Sequence, residues 1–135
     1  MVEVGKVRAL LFAKNLQAVA TFYAEALDMK RESGDDAHVL LKQGDFELIV
    51  HQIPKPIADS IRISEPPLRR EGGSLRLDYP IPDIRAGRAR AKSLGGGIDD
   101  SPPPWADSGT NFFLGFDPEG NVFGVSEQND RQGDA

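Results

Sequence analysis

The chain has no cysteine, which excludes disulfides, thiolate metal centres and a cysteine nucleophile. Histidine is scarce, with two in 135 residues. His38 and His51 do not share one short motif, so the sequence offers little case for a histidine metal site. No apolar run approaches the roughly 20 residues that a membrane helix needs. No basic-plus-apolar leader is visible at the N-terminus either, and a cytoplasmic protein is expected. Positive charge is in deficit, with 16 Lys and Arg against 21 Asp and Glu and a net charge of −5. That balance argues against a nucleic-acid or anionic-membrane partner. Glycine runs at 72–73 and 95–97 lack the strand-to-helix setting of a phosphate loop. No Ser-His-Asp arrangement is supported.

What is present is a repeat. Arg8 to Leu16 reads as a strand running into a helix cap, and Arg76 to Ile84 does the same 68 positions later (76 − 8 and 83 − 15). Asn15 and Asp83 are the two expected caps, each accepting an unpaired backbone N–H at a helix start. Leu16, Val19, Ala20, Tyr23, Ala26 and Leu27 recur at helical spacing, as do Ile84, Ala91 and Leu94. Each copy then ends in alternating segments, near Ala37–Gln52 and Asn111–Glu127, with Asp117-Pro118-Glu119-Gly120 as a hairpin turn. Residues 30–36 are charged or small and read as a turn. The proline-rich stretch from about 54 to 73 reads as a connector, with a short strand near Ile61–Ile63. The expected organisation is one domain over 1–127, with module one at about 5–53 and module two at about 74–127. A flexible tail, 128–135, follows. A length of 135 residues suits one core.

The pattern resembles the vicinal oxygen chelate superfamily of glyoxalases, bleomycin-resistance proteins, fosfomycin-resistance enzymes and extradiol dioxygenases. The carriers are Asn15-Leu16, Phe22-Tyr23, Leu27-Asp28-Met29, Asp83-Ile84, Leu94-Gly95-Gly96 and Asp117-Pro118-Glu119-Gly120-Asn121. Where the family often has Leu-Gly before the aromatic or Met, this chain has Leu27-Asp28. The resemblance implies an α+β fold, in which two βαβββ modules form a curved eight-stranded mixed sheet around a cup. It also implies pairing into a homodimer. Family enzymes hold a divalent metal at four positions, which here are Arg8, Glu47, Arg76 and Gly124. Only Glu47 could ligate, because guanidinium has no lone pair to give. No metal and no other cofactor are expected at this set.

Arg8 and Arg76 share the repeat, so both are expected near Glu47 as an Arg8–Glu47–Arg76 cluster. Its spare N–H groups could bind an anion, or the cluster could only neutralise charge and brace the halves. His51 shares the strand face of Glu47 and is read either as a base in the cup or as a rim residue. Asp78 is a cup carboxylate or an exposed edge. Trp105, after three prolines, is a ligand wall or a cover for the core edge. His38 is read as structural. Phe112, Phe113 and Phe116 are read mainly as core. The leading functional expectation is metal-free binding of a small molecule. The alternative is a diverged glyoxalase-like lyase or isomerase, with Glu47 or His51 as acid/base and the arginines stabilising negative charge. A scaffold with a filled cup is the third.

Overall fold

The computed structural model describes residues 5–107 and 109–128. Strands β1 (Val7–Ala13), β2 (Lys30–Gly34), β3 (His38–Gln43) and β4 (Phe46–Gln52) make one sheet in the order β1-β4-β3-β2. Strands β5 (Leu77–Ile81), β6 (Gly97–Ile98), β7 (Phe112–Phe116) and β8 (Val122–Glu127) make a second in the order β5-β8-β7-β6. In each sheet the first strand runs parallel to the last, and the other pairs are antiparallel. The architecture is α+β as expected, but within the chain it is two four-stranded mixed sheets rather than one continuous sheet of eight.

Helix α1 (Leu16–Ala26) follows β1 and helix α3 (Ile84–Ser93) follows β5. The caps are equivalent: Asn15 accepts from Ala18 N and Asp83 from Ala86 N, both at 3.1 Å. A second acceptor reaches each helix start from the end of the parallel partner strand. Gln52 Oε1 takes Leu16 N at 3.0 Å, and Glu127 Oε1 takes Ile84 N at 3.0 Å. Leu27 ends α1, and Asp28 follows at φ +59°. A left-handed residue is ordinarily glycine at such a position, but aspartate tolerates it.

Two sequence readings need correction. Residues 30–34 are not a turn but the edge strand β2, all five of them exposed. With no buried side there is no apolar alternation to read, and the pairing with β3 shifts between Arg31 and Ser33. The connector forms no strand at 61–63; it opens with a short helix α2 (Lys55–Ala58), whose proline sits in the first turn, where a missing N–H costs nothing. Of the expected tail, Gln128 donates its backbone N–H to Ile81 O at 2.7 Å, and 129–135 lie outside the described residues.

One core joins the sheets. Helix α1 packs on β3, β4 and α3. Its aromatic residues cross to the second sheet, with Tyr23 lying 5.9 Å from Tyr79 and 6.0 Å from Phe123 between ring centroids. The turn at 117–121 anchors this junction. Buried Asp117 accepts Tyr23 Oη at 2.9 Å, the backbone N–H groups of Glu119 and Asn121, and Asn121 Nδ2. Burial pushes its carboxyl upward against the pull of those donors, and burial also raises the Tyr23 phenol well above its usual value. Glu119 reaches the first half, where its two oxygens accept Lys14 N at 2.9 Å and Asn15 N at 2.7 Å.

Removing Asp117 strands one phenol and two backbone donors in the core, and each orphaned group costs about 1–3 kcal/mol. Asp117→Ala is expected to lower stability by about 3 kcal/mol or more, and Tyr23→Phe by about 1–2 kcal/mol. Urea unfolding of both variants checks this; equal, small losses would show that the turn is not an anchor.

Candidate functional site

Side chains alternate along a strand, and the register sorts them. In the first sheet Leu48, Val50, Val39 and Leu41 face the helices and are buried. The outer face carries the rows Arg8–Glu47–Lys42, Leu10–Ile49–Leu40 and Phe12–His51–His38. Arg8 Nε donates to Glu47 Oε1 at 2.7 Å. Glu47 is only 6% exposed despite its outward position. The Arg8 hydrogen bond, with the charges of Arg8, Lys6 and Lys42, holds its carboxyl below the ordinary value. At neutral pH it is a paired carboxylate, poorly tuned as a general acid or base.

In the second sheet Tyr79, Ile81, Phe123 and Val125 face the core. Asp78 pairs across from Gly124 on the other face. Arg76 precedes β5 and grips Asp78 with both prongs, Nε to Oδ1 at 2.7 Å and Nη2 to Oδ2 at 3.0 Å. That hydrogen bond raises the arginine's already high pKa. Its guanidinium lies 5.4 Å from the Trp105 ring and 5.1 Å from the Phe112 ring, within cation–π range of both. Gly124 makes room for this assembly: a Cβ there would overlap Asp78 Oδ1 and sit 2.6 Å from the Phe112 ring.

The Arg8–Glu47–Arg76 cluster is therefore not formed. Arg8 and Glu47 pair, but Arg76 stands at the other sheet, and the nearer Asp78 takes both of its prongs. The four positions that the resemblance links to a metal do not fit one. Glu47 is paired with Arg8, the guanidinium groups of Arg8 and Arg76 have no lone pair to give, and Gly124 has no side chain and its space is filled by neighbours. Among the described residues no three His, Asp or Glu converge to hold an ion.

A cavity of about 440 Å³ opens between the halves, walled by Leu10, Leu75, Leu77, Leu114, Trp105 and Arg76. Its floor reaches Tyr23, Tyr79 and Phe123. Of the expected site residues, Arg76 and Trp105 line it. Asp78 lines a neighbouring open cleft of about 580 Å³ with Phe46 and Pro80. Arg8, Glu47 and His51 belong to neither space and remain on the outer face of the first sheet. Phe113 packs against the core as expected, whereas Phe112 packs against Trp105 at a tilt, with ring centroids 5.8 Å apart. Arg70 and Glu71, contributed by the connector, were not legible because that segment has no periodicity. His38, read as structural, lies opposite His51 with near-parallel rings 6.3 Å apart.

Two consequences are measurable. A folded-state carboxyl held low stabilises the protein above its ordinary value, 4.5 for Glu47, and that stability is lost as pH falls through the folded value. Arg8→Ala raises the folded value, so its stability is expected to fall less steeply than the wild type's between roughly pH 5 and pH 3. Denaturation at several pH values tests this, and parallel slopes would refute the pairing in solution. Gly124→Ala forces Asp78 and Phe112 apart, at a cost of about 1–3 kcal/mol. It is expected to shift Trp105 emission; an unchanged spectrum would contradict the packing of Phe112 on Trp105.

A glyoxalase-like domain family matches residues 8–126. No curated protein matches the sequence. Among solved structures, a glyoxalase/bleomycin resistance protein from Albidiferax ferrireducens T118 superposes with TM-score 0.63 at 13% identity, over 91% of this chain and 98% of that one. A glyoxalase-related enzyme from Fulvimarina pelagi gives 0.62 at 18% identity, over 95% and 89%. A fosfomycin resistance protein from Listeria monocytogenes gives 0.63 at 12% identity, over 96% and 94%. These identities establish a shared fold and not a shared reaction. With the family match spanning nearly all of both sheets, the chain belongs to the glyoxalase-like family of the vicinal oxygen chelate superfamily.

Proposed function

We propose that this protein binds a small organic anion with an apolar or aromatic body in the cavity between its halves, without a divalent metal at positions 8, 47, 76 and 124. The observation that carries this reading is the cavity itself. Its roughly 440 Å³ lies within the usual range for ligand sites, about 300–1,000 Å³. Mostly apolar side chains wall it, joined by Arg70, Glu71 and Asn121, and Arg76, with only two of its N–H donors on Asp78, stands beside the one tryptophan. Asp78 and two aromatic rings hold that guanidinium in place, which lowers the entropy cost of binding. Neighbours named for resistance to bleomycin and fosfomycin share the fold, which supports a small-molecule ligand. The enzymatic alternative is less favoured, because Glu47 is held ionised by Arg8 and lies off the cavity.

We further propose a cytoplasmic homodimer. Ile57 and Leu68 of the connector stand 56% and 82% exposed, apolar surface that a second copy could cover.

The probe is anilinonaphthalene sulfonate, an aromatic anion, read by energy transfer from Trp105, with light scattering on the same samples. One probe per chain is expected. Arg76→Ala is expected to weaken it roughly tenfold or more, since a charged hydrogen bond contributes about 1.5–3 kcal/mol. Leu114→Arg, which fills the cavity, is expected to abolish binding. Affinity untouched by both substitutions would sink the binding reading, and a monomeric mass would sink the dimer.

A further inference from the structure

We propose that His38 and His51 form a two-imidazole site for a borderline divalent ion (Cu²⁺, Ni²⁺ or Zn²⁺) on the outer face of the first sheet, apart from positions 8, 47, 76 and 124. The two residues are direct partners across β3 and β4, so a rigid antiparallel ladder fixes their spacing. Their rings lie 6.3 Å apart between centroids and only 16° from parallel.

Both rings have one nitrogen already engaged. His51 Nδ1 lies 3.0 Å from Gln52 O, and His38 Nδ1 lies 3.3 Å from Asp35 Oδ1. An oxygen acceptor at Nδ1 keeps the proton there and leaves the Nε2 lone pair free, which is the usual outer support of a metal-binding imidazole. Asp35 is itself fixed, accepting Ala37 N at 2.8 Å and His38 N at 2.9 Å. Phe12 stands 5.8 Å from the His51 ring and shields one side.

In their near-parallel setting the rings do not yet share an ion; binding turns both partly exposed side chains so that their Nε2 atoms meet it at about 2.0–2.1 Å, a movement that loosens the Nδ1 contacts. Imidazole nitrogen selects copper, nickel and zinc over magnesium and calcium. Among the described residues no third His, Asp or Glu converges with the pair. Water or an external chelator therefore completes the coordination, and the ion is exchangeable. None of His38, His51 and Asp35 lines the cavity between the halves, so this inference stands or falls separately from the proposed function.

The test is Cu²⁺ titration of tag-free protein by calorimetry, with electron paramagnetic resonance to count bound nitrogens. One Cu²⁺ per chain with two imidazole nitrogens is expected, with weaker Ni²⁺ and Zn²⁺ binding and none of Mg²⁺. His38→Gln and His51→Gln should each cut affinity at least tenfold, and Asp35→Asn by roughly tenfold, the usual outer-support effect. Circular dichroism reports that the variants remain folded, and Glu47→Gln should bind as the wild type does. No Cu²⁺ uptake, uptake that survives the double His38→Gln, His51→Gln variant, or uptake lost in Glu47→Gln would each overturn the proposal.

Discussion

The carboxylates of the 117–121 turn are what the rest of the molecule depends on. Among the described residues the two sheets share no strand pairing, so their relative placement rests on one apolar core and a few long-range polar contacts. Asp117 ties α1 to the second sheet through Tyr23, and Glu119 takes the first N–H groups beyond β1. The first half answers less strongly, where Gln43 Nε2 donates to Pro80 O at 2.9 Å. Tyr23 also forms part of the cavity floor. A shift of this turn would therefore move a helix start, a core aromatic and a binding surface together. Gly120 shows how tightly it is set: its φ is +89°, and any Cβ there would overlap the Leu68 carbonyl of the connector.

The electrostatics of the two outer faces are arranged by local pairing within an acidic chain. Each arginine has a carboxylate of its own, and neither is shared. The arginines of both pairs remain in contact with solvent and Asp78 is half-exposed, so the desolvation cost falls mainly on the buried Glu47 carboxylate, which the Arg8 hydrogen bond offsets. Asp78 can serve Arg76 only because Gly124 leaves it space. The glycine is thus more than a missing ligand. It is the condition for placing a guanidinium between two aromatic rings at the cavity wall.

Much of this was legible in the sequence, and the failures have physical causes. The 68-residue shift located both caps and both helices, because capping and apolar spacing are local properties. Edge strand β2 was invisible because all five of its residues face solvent. The arginine cluster was misassigned because a repeat fixes sequence equivalence and not register. Asp78, not Arg76, is the strand residue opposite Gly124. The histidine pair could not be seen at all without knowing that residues 38 and 51 are cross-strand partners. Cavity residues such as Arg70 and Glu71 come from the connector, where neither periodicity nor a motif marks them.

The outer face of the first sheet divides along its strands into chemically distinct rows. Arg8, Glu47 and Lys42 make a charged row at one end, and Phe12, His51 and His38 make an aromatic row at the other. Leu10, Ile49 and Leu40 separate them. Glu47 and His51 are four residues apart on β4, about 13 Å at the rise of a strand. A single small reacting group cannot touch both, so they cannot serve as an acid–base pair on one substrate atom. Any shared role would need a ligand long enough to span the apolar row. The geometry instead favours independent duties: the charged row holds β1 to β4, while the imidazole row is free to meet something from outside.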